Sequence, residues 1–278
     1  MMRDDYELLD SGDGRKLERF GRFVLARPCS QALWRTERGE GEWRGADASF
    51  DREEGNRWHG RGNLPKEWTI ETAGVKFKLG GTDFGHLGIF PEQRAQWKWI
   101  RQTVQAAASR GSVSALNLFA YSGGSTMAAA LGGAQVCHLD ASKGMVEWAK
   151  ENARLNGLAE SPIRWIVDDA HKFMRREIRR NRRYDAIILD PPTFGRGAGG
   201  EMYKIERDLK ETFSLVRDLL SDRPLFVLFS SHTPGLSRIV AENILSQIFP
   251  SARLESGEML LEGRSLSCPS GIFCRAVF

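Results

Sequence analysis

The chain reads as an α/β protein: a seven-stranded, mostly parallel sheet with helices on both faces, plus a small N-terminal β-rich region. Three observations predict this. From Val113 onward, apolar runs of strand length alternate with helix-length amphipathic segments. Four of those runs end on a glycine turn or an acid, at Ala120–Gly124, Asp140, Asp168-Asp169 and Asp190. The first 80 or so residues instead show short apolar–polar alternations broken by glycines. The expected division is a β-rich appendage over residues 1–82 and a catalytic domain over 83–278.

Bulk properties set limits. Hydrophobic residues make up 41% and charged residues 27% of 278 positions, as in ordinary water-soluble domains. No apolar run approaches the ~18 residues of a membrane span, and Met1-Met2-Arg3-Asp4-Asp5 carries no apolar signal core. Cys29, Cys137, Cys268 and Cys274 form no C-x-x-C pair, so no metal site is expected. A reducing cytoplasmic setting is expected. A net charge of +4 permits an RNA partner without requiring one. The oligomeric state is not legible.

In the N-terminal region, Arg19–Arg27 contains a strand-like stretch. Trp68–Thr72 and Val75–Leu79 alternate across Ala73-Gly74, which predicts a hairpin with one buried face. Residues 35–64, rich in Gly, Arg and Glu, are expected to be loops. Trp34, Trp43, Trp58 and Trp68 lie there among arginines. Two readings stand: rings that stack unpaired bases, or rings that cover a thin core. Interspersed acids favour the second. Pro91 suits the first turn of a helix over about Glu92–Ala108. His86 reads as a structural hydrogen-bonder rather than a base.

Val113–Asp140 predicts a strand, a glycine turn, a helix over about Ser125–Leu131 and a second strand closing on Asp140: a βαβ unit. Glycine lets a ligand approach the backbone, and a helix start offers free N–H groups. The turn lacks both G-x-G-x-x-G and a Gly-Lys-Ser/Thr loop, which disfavours dinucleotides and nucleoside triphosphates. The remaining common nucleoside cofactor is S-adenosyl-L-methionine; a plain turn without a ligand is the alternative. Asp140 is placed to accept a ribose diol. Ser142 starts a helix that runs to about Asn156 and stops at Gly157, with Met145, Trp148, Ala149, Asn152 and Leu155 as its apolar stripe. Trp148 is expected in the core.

Ile163–Val167 is a third strand, and Asp168-Asp169-Ala170 after it offers an acid for an adenine amino group. His171–Arg183 holds seven Lys/Arg residues against Glu177, which reads either as a grip on RNA phosphates or as a solvated helix end. Tyr184–Asp190 is a fourth strand running into Asp190-Pro191-Pro192-Thr193-Phe194. Two proline rings fix φ and leave rigid carbonyls beside a carboxylate. Gly195–Gly200 predicts a flexible loop of the kind that closes over substrates. A helix marked by Ile205, Leu209, Phe213, Val216 and Leu220 follows. Pro224–Ser230 is a fifth strand, Leu236–Phe249 a helix, and Arg253–Leu261 with Ile272–Phe278 a final antiparallel edge pair.

With these motifs assembled, the chain resembles class I S-adenosylmethionine-dependent methyltransferases, close to the group containing the 23S ribosomal RNA cytosine-C5 methyltransferases. The matching text is Leu116–Gly124, Leu139–Lys143, Glu151–Gly157, Asp169-Ala170 and Asp190–Gly195, with Gly88–Arg94 resembling the family's lead-in. The resemblance covers about residues 84–278. It implies a Rossmann-like seven-stranded methyltransferase sheet and a ribosomal RNA base as acceptor. It implies cofactor contacts from Phe90, Gln93, Asn117, Phe119, Ala120, Tyr121, Ser122, Gly123, Asp140, Ala141, Ser142, Asp168, Asp169, Ala170 and Asp190. Asp190, Pro191, Pro192 and Phe194 would form the catalytic motif. Phe90, Gln93 and Arg94 read equally as a helix cap and surface pair.

Cytosine C5 is a poor nucleophile and requires a cysteine thiolate to add at C6. In the resembling enzymes that cysteine follows the fifth strand; here the text is Phe229-Ser230-Ser231-His232-Thr233. An exocyclic amine needs no thiol: Asp190 and the Pro191 carbonyl would hold it, and His232 would take its proton. A small-molecule or protein acceptor, or a cofactor-binding module without catalysis, is the alternative reading.

Overall fold

The computed structural model describes residues 4–52, 55–197 and 200–278. Two compact units are present. The first runs to Ala95 and includes Leu260–Ser270; the second comprises Gln96–Met259 and Gly271–Phe278.

The first unit holds a five-stranded sheet in chain order: β1 (Tyr6–Gly12), β2 (Arg15–Phe20), β3 (Phe23–Pro28), β4 (Ala48–Asp51) and β5 (Arg57–His59). A short helix α1 (Glu40–Arg44) precedes β4. Residues 35–64 were expected to be loops, and α1, β4 and β5 correct that expectation. Each of α1 and β4 is anchored by one large buried ring, Trp43 and Phe50. Each element is too short for its pattern to be decisive: α1 buries Trp43 alone, and the Ala48/Phe50 alternation of β4 spans four residues. The expected hairpin is present as β6 (Trp68–Thr72) and β7 (Val75–Leu79), with Ala73 and Gly74 both at positive φ. The tryptophans serve the fold. Trp34 donates to the Ser11 carbonyl at 2.8 Å, Trp43 to Asp10 at 3.1 Å and Trp58 to the Thr82 carbonyl at 2.8 Å, while Trp68 meets Phe23 edge-on.

In the second unit, α2 (Arg94–Ala108) leads into β8 (Ser114–Leu118), α3 (Gly124–Leu131), β9 (Gln135–Asp140), α4 (Lys143–Leu155), β10 (Ile163–Val167) and α5 (Ala170–Arg179). β11 (Ala186–Leu189) follows, then β12 (Phe194–Arg196), β13 (Met202–Lys204), α6 (Ile205–Leu219), β14 (Phe226–Ser231), α7 (Arg238–Ile248), β15 (Arg253–Leu261) and β16 (Cys268–Val277). The sheet order is β10-β9-β8-β11-β14-β16-β15. The first five strands are parallel, and β16 runs antiparallel to β14. The seven-stranded α/β expectation holds. The expected final pair forms one edge of the sheet, with β16 antiparallel beside β14 and β15 outermost.

Every residue of β11 and β14 is buried, as in strands covered on both faces. Ile187, Leu189, Val227 and Phe229 pack with Phe173 of α5, Phe213 of α6 and Leu245 of α7. On α4 the buried stripe is Val146, Ala149, Asn152 and Ala153. It is rotated from the expected one: Leu155 is exposed and Trp148 half-buried.

Chain direction decides where ligands bind. From β8 the connections step outward to β9 and β10, then return to place β11 on the other side of β8. That reversal opens a crevice at the carboxyl ends of β8 and β11, the position where open α/β sheets hold ligands.

Candidate active site

The turn after β8 is tightly constrained. Phe119 has φ 55°, Tyr121 φ 49° and Gly123 φ 86°. Left-handed backbone is costly for bulky residues, and it concentrates at functional sites. Asp140 holds the turn: one oxygen accepts the Tyr121 N–H at 2.8 Å and the other the Ser142 N–H at 2.8 Å. Burial pushes the Asp140 pKa above the usual carboxylate range, and the Ser142 and Tyr121 donors oppose that shift. Asn152 of α4 donates to the Ser122 carbonyl at 2.9 Å. The sequence reading placed Asn152 in the helix stripe and in the family-matching text Glu151–Gly157 but gave it no contact; a polar side chain at a buried stripe position was the available signal.

Two glycines have different reasons. At Gly123 a Cβ would sit 3.1 Å from both Ala149 and Met127, on a backbone already left-handed. At Gly124 it would lie 2.6 Å from the Trp97 ring, so glycine there allows α3 to meet α2. No side chain caps α3.

Beneath the turn runs a buried polar chain. The Asn117 amide donates to Thr126 Oγ1 at 2.9 Å, and Thr126 Oγ1 meets His138 Nδ1 at 2.9 Å. All three side chains are buried, and His138 Nε2 has no hydrogen-bond partner. Burial drives the His138 pKa down to about 3, so its ring is neutral. The Asn117 side chain is thus committed inside the unit. Thr126 and His138 were missed by the sequence reading and carry no local signal.

At the end of β10, Asp168 pairs with Arg176 and accepts the Asp169 N–H at 2.8 Å. Asp169 caps α5 by accepting the Lys172 N–H at 2.8 Å, and Ala170 is buried. At the end of β11, Asp190 Oδ1 lies 3.6 Å from His232 Nδ1, across from the end of β14. Thr193 and Thr233 join hydroxyls at 2.9 Å, which ties the two loops together. Pro191 is buried, whereas Pro192 and Phe194 are exposed.

The expected flexible loop is partly a correction. Phe194–Arg196 and Met202–Lys204 pair as an antiparallel hairpin, while Ala198 and Gly199 lie outside the described residues. Tyr203 on the hairpin packs on Phe119 at 5.2 Å and on His171 at 5.9 Å, and both His171 and Tyr203 reach Thr212. These aromatic contacts, absent from the sequence reading, give the glycine-rich segment a folded base.

Parallel strands bring Phe119–Gly123, Asp140–Ser142, Asp168–Ala170 and Asp190–Phe194 to one sheet edge. Leu118 pairs with Leu189, so the β8 turn and Asp190 leave neighbouring strands at matched positions. Phe90 and Gln93 belong to the first unit, where Gln93 is buried and Phe90 stacks edge-on against His86 at 5.4 Å. Among the described residues no group of three His, Cys, Asp or Glu could hold a metal. No helix of the described residues is long and apolar enough to cross a membrane.

Residues 47–222 match the family model of S-adenosylmethionine-dependent methyltransferases, and the chain belongs to that family. A crystallised SAM-dependent methyltransferase from Agrobacterium tumefaciens superposes with a TM-score of 0.93 at 36% identity, over 99% of this chain and 91% of that one. A chain from Streptococcus mutans, described as a candidate SAM-dependent methyltransferase, shares the fold at TM-score 0.75 and 18% identity, over 99% of this chain and 75% of that one. Among curated relatives, ribosomal RNA large subunit methyltransferase K/L of Shewanella frigidimarina is 33% identical over 165 residues, 56% of this chain and 21% of its own length. The namesake from Pseudoalteromonas atlantica is 39% identical over 122 residues, 44% of this chain and 16% of its own length. The chain thus spans about a fifth of the length of the curated relatives it matches. The expected family and its cofactor, S-adenosylmethionine, stand.

Proposed function

We propose that the protein transfers a methyl group from S-adenosylmethionine to a base of ribosomal RNA, in the cytoplasm, with catalysis in residues 83–278 and residues 1–82 as an appendage. The observation that carries this reading is the meeting of Asp190 and His232 at the ends of β11 and β14, beside the strained turn after β8. The relatives named as ribosomal RNA methyltransferases support the acceptor class.

The residues fit the cofactor. The uncapped start of α3 suits the carboxylate of its methionine end, with Phe119–Gly123 around it. Asp140, Ala141 and Ser142 lie where a ribose diol would be held, and Asp168, Asp169 and Ala170 where adenine would. Asn117 acts from below by fixing α3. The cofactor supplies an activated methyl group, so the protein's task is alignment. Asp190 and the Pro191 carbonyl accept the N–H groups of an exocyclic amine and aim its lone pair. Pro192 stiffens that carbonyl, Phe194 offers an exposed ring for stacking, and His232 takes the proton as the N–C bond forms.

An amine suits this site better than C5. Cys137 and Cys274, the two cysteines of the second unit, are buried. Burial raises their pKa values to about 11 and about 12, which disfavours the thiolate that attack at C6 requires. Tritiated methyl transfer to total RNA, with protein and metabolite fractions alongside, tests the reading. Label confined to protein or small molecules overturns it.

A further inference from the structure

At the edge opposite the cofactor crevice, the second unit has a cavity of about 410 Å³ at the amino ends of β8, β9 and β10. Four arginines line it: Arg164, Arg180, Arg182 and Arg183. The acid in its wall is Glu177, which is fully buried. Arg164 binds that carboxylate through two nitrogens, at 2.9 and 3.2 Å, while Tyr184 donates at 2.6 Å and Arg180 at 3.4 Å. The nearby Asp185 is occupied by the Ser114 N–H and hydroxyl and by the Ser221 hydroxyl.

Four positive groups therefore face one compensated carboxylate. Arg182 and Arg183 are exposed and pair with no carboxylate among the described residues. On the same basic segment, Lys172 pairs with Glu201, Arg175 with Glu211 and Arg176 with Asp168, while Arg179 is exposed and lies outside the cavity lining. Two of the segment's unneutralised charges, Arg182 and Arg183, thus sit at the cavity. Glu177 holds the Arg164 guanidinium in place, so one fork is positioned before any ligand arrives. The only ring in the lining is Tyr184, which is buried, so nothing there stacks a base.

We propose that this cavity binds the phosphodiester backbone of an RNA strand, independently of sequence, as an anchoring surface remote from methyl transfer. Strands of about five residues at ~3.3 Å each put it roughly 16 Å from the crevice edge. It would grip RNA flanking the acceptor, which rests on the RNA reading above.

The test uses the full chain, the double variant R182A/R183A and a control pair, R238A/R253A, elsewhere on the second unit. The probe is a fluorescent single-stranded oligouridylate of about 16 nucleotides, titrated between about 50 and 200 mM salt. Loss of two phosphate contacts lowers the log–log salt slope by about 1.4. The pocket pair should show that drop with unchanged S-adenosylmethionine binding, while the control pair keeps the wild-type slope. The proposal is overturned if wild type does not bind, if the slope is unchanged in R182A/R183A, or if the control pair matches it. It is also overturned if orthophosphate alone saturates the cavity and RNA does not compete, which marks a small-anion site. Pocket-dependent binding without methyl transfer to RNA removes the proposed reaction and keeps the anchor. Methyl transfer to RNA with wild-type KM in R182A/R183A does the reverse.

Discussion

The Tyr121 N–H donates to the Asp140 carboxylate at 2.8 Å, from a backbone held at φ 49°. A residue at the end of β9 therefore sets the conformation of the turn after β8. The same carboxylate accepts from Ser142, so one side chain braces two of the stretches proposed to hold the cofactor.

Replacing Asp140 with Ala leaves two backbone donors without their acceptor, at about 1–3 kcal/mol each. D140A should lower Tm and weaken S-adenosylmethionine binding by at least about tenfold, an affinity change of ~1.4 kcal/mol. Thermal melts and calorimetry measure both. A D140A protein with wild-type affinity would remove Asp140 from the site.

Gly124→Ala places a methyl group against Trp97 and should destabilise by about 1–3 kcal/mol through overpacking. Shrinking the ring relieves it. Denaturant unfolding of G124A, W97L and the double variant should show the double variant more stable than the sum of the singles, with a coupling of about 0.5–3 kcal/mol. Additive effects would show that α2 and α3 do not meet there.

His138 gives the stability a defined pH limb. Its folded pKa, about 3, lies below the ordinary value of 6.5 because burial disfavours the charged ring. The unfolded chain binds the proton first as pH falls. The stabilisation is complete above pH 6.5 and is lost as pH drops towards 3, by up to about 1.4 kcal/mol per pH unit. Urea unfolding from neutral pH to about pH 4 should show this slope in wild type and a shallower one in H138N. Parallel slopes would place the acid sensitivity elsewhere.

Asp190→Ala separates binding from transfer. The variant should retain S-adenosylmethionine affinity within about threefold, while kcat falls by about 10²–10⁴. Affinity follows from calorimetry and kcat from tritium transfer. Equal loss of both would place Asp190 on the cofactor rather than the acceptor.

Much of the second unit was legible because its signals are local. Strand runs that stop at Asp140, Asp169 and Asp190, and a helix opened by Ser142 and closed at Gly157, appear within a residue or two of their expected bounds. In the first unit, β4 and α1 were not, since elements of four and five residues are too short for a decisive period. His171 and Tyr203 were missed for a related reason: the contacts that join them to Phe119 span distant parts of the chain.

The sequence by itself determined the α/β class, the order of the strands along the chain and the chemical groups at their ends, because apolar periodicity and turn residues act over a few positions. Tertiary structure alone decided which ends meet. Placing β11 beside β8 sets Asp190 next to the β8 turn, packing of α2 on α3 requires Gly124, and the fold back of α5 onto β10 gathers four arginines around one buried glutamate. Those relationships depend on long-range packing, whose partners are fixed only when the whole sheet has formed.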